Sequence, residues 1–199
     1  MPWNFKSDSC ERMYTLNDGW IAQARKVASP NFGPRPAACD IDLLVIHNIS
    51  LPPGQYNGSC IEQFFCNKLD WEEHPFFREI EGVEVSSHLL VRRDGELVQF
   101  VSLEDRAWHA GRSFFRGRNE CNDFSIGIEL EGTDDDVYTD MQYQVLVGVT
   151  RTLLDHYELL DSTRIVGHSD IAPGRKTDPG PGFDWPYYRS LLEETGDFG

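Results

Sequence analysis

The spacing of hydrophobic positions changes period along the chain, and each change marks an element. IDLLVIHN (41–48) is a nearly continuous apolar run between loops, the pattern of a central strand buried on both faces. In SSHLLVRRDGELVQFVSL (86–103), Asp94-Gly95 separates two strand-like runs, which predicts a hairpin with a tight turn. Phe124, Ile126, Ile128 and Leu130 alternate with small or acidic residues, the period of another strand. The period then lengthens. Thr139 and Gln142 make a capping-box pair, and Leu146, Val149, Leu153 and Tyr157 recur at helical spacing, so a helix with a core-facing stripe runs to about Tyr157. Residues 16–27, LNDGWIAQARKV, predict a short amphipathic helix, followed by a Pro-rich loop through Ala38. A turn-rich loop over 50–59, a helix from Cys60 to Asn67, a strand over 163–167 and a last helix after Pro186 complete the pattern. Neither repeat nor linker divides the chain. Strands interleaved with helices over 1–199 predict a single α/β domain around a mixed sheet.

Charge narrows the partners. Eighteen Lys and Arg against 33 Asp and Glu give a net charge of −15, which opposes binding driven by nucleic-acid phosphates or anionic membrane surfaces. Nowhere do ~18 consecutive apolar residues occur, so no membrane span is expected. The N-terminal residues lack a basic segment followed by an apolar run, which argues against a secretory signal. Cys10, Cys39, Cys60, Cys66 and Cys121 are odd in number and scattered, as expected of reduced packing thiols in a cytoplasmic protein.

Six histidines supply candidate chemistry. His47 ends the buried 41–48 run, and His168 follows another short strand, with Asp178 ten residues further on. Two imidazoles and one carboxylate would leave a zinc ion an open position for water, the arrangement of catalytic sites. No HExxH stands here, and the spacing alone fits buried structural histidines better than a metal site. Glu129 interrupts its apolar strand, with Glu131 two residues on along the same face. Such a pair reads first as a solvated face, and second as an acid/base site. Lys176, alone in a Pro/Gly-rich loop, reads as a surface lysine.

Together these residues fall in four ordered segments: LLVIHNISLPPG (43–54), RAWHAGRS (106–113), CNDFSIGIELEGT (121–133) and GHSDIAPGRKTDPGPGFDW (167–185). The chain resembles the zinc-dependent type 2 N-acetylmuramoyl-L-alanine amidases, from about Gly19 to Trp185. It most resembles their cytoplasmic branch, which cleaves 1,6-anhydro-N-acetylmuramyl-L-alanine in peptidoglycan recycling. The resemblance implies a central mixed sheet flanked by helices, one Zn²⁺ and a small muropeptide substrate. It implies His47, His168 and Asp178 as zinc ligands, Glu129 as general base and Lys176 as transition-state stabiliser. Asn48 and Trp108 are candidate substrate contacts, and His88 and His109 are expected to be structural or to orient ligands by hydrogen bonds. Arginines stand in the family where this chain has Glu84 and Glu120, which implies altered stem-peptide selectivity. Arg78, Arg112, Arg116 and Arg118 are the nearby cations that could compensate. The competing expectations are a general amidase acting on murein and a non-catalytic peptidoglycan-binding module.

Overall fold

A computed structural model describes residues 14–193. Twelve strands follow in chain order: β1 (Leu16–Asn17), β2 (Trp20–Ile21), β3 (Arg25–Lys26), β4 (Phe32–Gly33), β5 (Leu43–Ile49), β6 (Leu89–Val91), β7 (Leu97–Gln99), β8 (Arg106–Ala107), β9 (Phe114–Phe115), β10 (Arg118–Asn119), β11 (Ser125–Glu131) and β12 (Ile165–Gly167). The helices are α1 (Cys60–Phe65), α2 (Asp140–His156), α3 (His168–Ile171) and α4 (Trp185–Glu193). Six strands form one sheet in the order β12-β5-β11-β6-β7-β3. β12, β5, β11 and β6 run parallel, β6 and β7 form the antiparallel hairpin, and β3 joins β7 in parallel. The architecture is the expected single α/β domain with a mixed sheet.

Strand alternation divides the sheet into two faces. Leu44, Ile46, Ile126, Ile128 and Leu130 pack with the Leu146, Val149 and Leu153 stripe of α2 in the main core. Thr139 and Gln142 close the predicted capping box at the start of that helix. The opposite face carries Leu43 and Val45 against Cys121, Phe124 and Ile171, and Leu90 and Val98 against Ile61 and Phe65 of α1. Ser125, Gly127, Glu129 and Glu131 share that second face with His47, which pairs with Glu129 in the β5–β11 register. Polar chemistry is therefore gathered on one side of one strand pair.

Two expectations fail. Residues 16–27 are not a helix but the β1–β2 hairpin followed by β3. Asp18 (φ 48°) and Gly19 (φ 77°) turn the chain, and a Cβ at Gly19 would lie 2.2 Å from Ser102 Oγ. The side chain of Gln99 accepts from Ile21 N and donates to Gly19 O, so tertiary contacts override the helical periodicity. Glu131 does not face solvent either. It is fully buried and accepts from Arg92, from Arg93 N and from Asn57 N, tying the 50–59 loop to the hairpin. Glu129, 8% exposed, is buried beside it. Of the cysteines, Cys39, Cys60, Cys66 and Cys121 are free thiols and Cys121 is buried, whereas Cys10 and the N-terminal segment lie outside the described residues. Among the described residues no helix is long and apolar enough to cross a membrane.

Candidate metal centre

The parallel strands end on one side of the sheet, where loops can converge on rigidly held groups. His47 lies near the end of β5, and His168 opens α3 directly after β12. The loop carrying Asp178 folds back on them. Asp178 O accepts from Ser169 N at 3.0 Å, and a Cβ at Gly167 would meet Pro179 Cδ at 2.8 Å. The three side chains converge: His47 Nδ1 and His168 Nδ1 are 3.0 Å apart, and Asp178 Oδ2 lies 3.0 and 3.1 Å from them.

This donor set fits a zinc ion. Ligands at ~2.0 Å in a tetrahedron stand roughly 3.3 Å apart, close to the observed spacing, and three protein donors leave a fourth position open. His168 Nε2 lies 3.1 Å from the carbonyl oxygen of Ala110, which can only accept, and 3.4 Å from Arg175 Nη2; the shorter contact favours the proton on Nε2 and a bare Nδ1 turned inward. Burial pushes the Asp178 carboxyl up, but the His168 and His47 imidazoles beside it outweigh that and hold it well below the usual carboxylate range. Burial pushes the His47 imidazole down to about 4, so the ring is neutral near pH 7, as a metal ligand must be.

Glu129 stands next to His47 across the strand pair, and its Oε2 is buried with no protein hydrogen-bond partner. Burial and then the charge of Asp178 push its carboxyl well above the usual range, while the Lys176 ammonium acts in the opposite sense. A buried, unpartnered carboxyl with a raised pKa is suited to moving protons. Lys176 is exposed, and its charge reaches both Glu129 and His47.

The remaining candidates hold other partners. Asn48 is half-buried and donates to Asp134 Oδ1. The side chain of Trp108 is half-buried, and its backbone N–H donates to Ser86 Oγ. His88 accepts from Gly127 N through Nδ1 and donates to Asp105 O through Nε2; burial and the Arg35 charge push it down to about 3. Asn122 Oδ1 accepts from the backbone N–H groups of His109 and Ala110, fixing the segment that touches both zinc-candidate histidines. No sequence signal marks Asn122. Glu84 is exposed, and Glu120 pairs with Arg106. Arg118 is held by Asp42, Arg116 by Thr163, and Arg78 by Glu72 and Glu81. Arg112 is exposed, two residues beyond Ala110.

The sequence profile of N-acetylmuramoyl-L-alanine amidases matches residues 37–181, a span containing every residue of this centre. The chain belongs to the N-acetylmuramoyl-L-alanine amidase family. Its sequence is 55% identical over 174 residues to the 1,6-anhydro-N-acetylmuramyl-L-alanine amidase AmpD of Salmonella typhimurium, covering 87% of this chain and 92% of that protein. A crystal structure of an AmpD selenomethionine derivative superposes with a TM-score of 0.87 at 52% identity, over 89% of this chain and 99% of that one. More distantly, the amidase resembles AmiD from E. coli, solved with the substrate anhydro-N-acetylmuramic acid-L-Ala-D-γ-Glu-L-Lys. That match has a TM-score of 0.56 at 26% identity, over 89% of this chain and 65% of that one.

Proposed function

We propose that this amidase hydrolyses the amide between 1,6-anhydro-N-acetylmuramic acid and L-alanine in muropeptides recycled in the cytoplasm, with one Zn²⁺ held by His47, His168 and Asp178. The observation that carries the chemistry is the convergence of three potential ligand atoms, all within 4.8 Å of one another, beside a buried, unpartnered carboxyl. The substrate follows from the names of the relatives, and free thiols at Cys39, Cys60, Cys66 and Cys121 are in keeping with a reducing compartment.

When bound, zinc supplies a Lewis acid that polarises the scissile carbonyl and acidifies water. Glu129 takes the proton of the attacking water at its free Oε2 and delivers it to the departing L-alanine nitrogen as the C–N bond breaks. Its raised pKa favours holding that proton between the two transfers. The Lys176 ammonium, whose charge acts on Glu129 and His47, stabilises the negative charge that develops on the carbonyl oxygen. Asn48 and Trp108 contact the substrate at the rim, Asn48 being pre-oriented by Asp134.

Mass spectrometry of products tests this reading, with zinc-loaded protein given anhydromuropeptides and, in parallel, their reduced non-anhydro counterparts. Anhydromuramic acid plus free peptide from the first substrate alone is the expected result. Equal cleavage of both would replace it with a general amidase, and cleavage of neither would overturn it.

A further inference from the structure

A zinc-binding imidazole has two nitrogens, and the outer one decides which of them faces the metal. His168 is settled by a backbone carbonyl, but His47 turns its Nε2 toward another ring, 2.9 Å from His109 Nδ1. Either nitrogen of that pair could carry the proton. Inside the site Asp178 Oδ2, 3.0 Å from His47 Nδ1, attracts the proton to the nitrogen that must be bare for the metal.

The proton positions follow from the far end of the chain of hydrogen bonds. Ser125 Oγ lies 2.6 Å from the carbonyl oxygen of Cys121, which can only accept, so the hydroxyl proton is committed there. Ser125 Oγ then accepts from His109 Nε2, 3.1 Å away. His109 carries its proton on Nε2, its Nδ1 is a bare acceptor, and His47 donates from Nε2. We infer that the Cys121–Ser125–His109 relay is a positioning device that holds His47 in the Nε2–H tautomer and so presents Nδ1 to the zinc.

The backbone is shaped for this relay. The His109 ring lies across β11 at Gly127, where a Cβ would stand 2.5 Å from both His109 Cγ and Nδ1. Ser125 and Gly127 are on the same face of the strand as Glu129, so one strand carries the relay's anchor, the notch for its ring and the candidate base. Losing the acceptor leaves a buried His47 N–H without a partner, at a cost of ~1–3 kcal/mol. Moving the proton to Nδ1, where Asp178 accepts it, avoids that cost and puts a hydrogen in the metal's place.

The inference rests on the zinc reading, and its test separates the two. Nitrogen-15 NMR of the histidine side chains in zinc-free wild-type protein should show His47 protonated at Nε2. In His109→Leu and Ser125→Ala the proton should shift toward Nδ1, and chelator competition should show zinc bound about 10–100-fold more weakly. Gly127→Ala should weaken zinc in the same direction without removing a polar group. His109→Asn, whose Oδ1 stands near the lost Nδ1, should restore affinity to within a few-fold of wild type. Thermal unfolding of the zinc-free variants confirms which are folded, and Ser125→Ala serves if His109→Leu is not. Wild-type zinc affinity and an unchanged His47 tautomer in folded Ser125→Ala would overturn the relay while leaving the zinc reading intact. Wild-type protein that cleaves substrate with His47 protonated at Nδ1 when zinc-free would also overturn it.

Discussion

At the scale of single residues, the site is a matter of who lacks a partner. His47 Nδ1, His168 Nδ1 and Asp178 Oδ2 have chiefly one another within reach, and Glu129 Oε2 has no protein donor to meet. A folded protein tolerates such groups where function requires them. Glu129→Gln keeps the shape and removes the proton acceptor, so kcat on the anhydromuropeptide should fall ~10²–10⁴-fold with zinc content unchanged. Steady-state kinetics with zinc determined on the same sample checks this, and wild-type turnover would remove Glu129 from the mechanism. The sequence alone identified the ligand and base candidates through their ordered motifs. It misjudged the pair Glu129 and Glu131 as a solvated face, because alternation along one strand does not tell whether loops cover the polar side. Burial of Glu131 depends on Asn57, Arg92 and Arg93, which are 38 to 74 residues away.

At the scale of elements, long buried strands and α2 were legible because their patterns are set by the core. The Asp94-Gly95 hairpin and the Thr139–Gln142 cap carry local signals as well. The 16–27 segment was not legible, since its two-residue strands owe their form to Gln99 and Ser102 rather than to their own period. The loop bearing Asp178 is shaped by a different contact. Gly180 (φ +75°) presses on the 133–138 loop, and a Cβ there would lie 2.3 Å from Asp134 Cα. Gly54 has a similar φ of +72° with nothing within 4 Å. Both alanine variants bear the left-handed strain of roughly 1–3 kcal/mol, but only Gly180→Ala adds a collision with backbone. Gly180→Ala should therefore unfold at clearly lower denaturant than Gly54→Ala and bind zinc more weakly. Equal midpoints in denaturant titrations would show that this contact does not set the Asp178 loop.

At the scale of the whole molecule, the sheet separates stability from chemistry. One face is closed by α2 and the main core, whereas the other lines up Ser125, Gly127, Glu129 and Glu131 along β11 beside His47. In a chain with a net charge of −15, burial and near neighbours, not the global field, set the charge of each group at this centre. The central claim is that His47, His168 and Asp178 share one zinc ion. Anomalous X-ray scattering measured on either side of the zinc absorption edge, on crystals of the zinc-loaded protein, tests it most directly. A single peak bounded by His47 Nδ1, His168 Nδ1 and Asp178 Oδ2 is the predicted result. A peak elsewhere, or none at full zinc loading, would contradict the account.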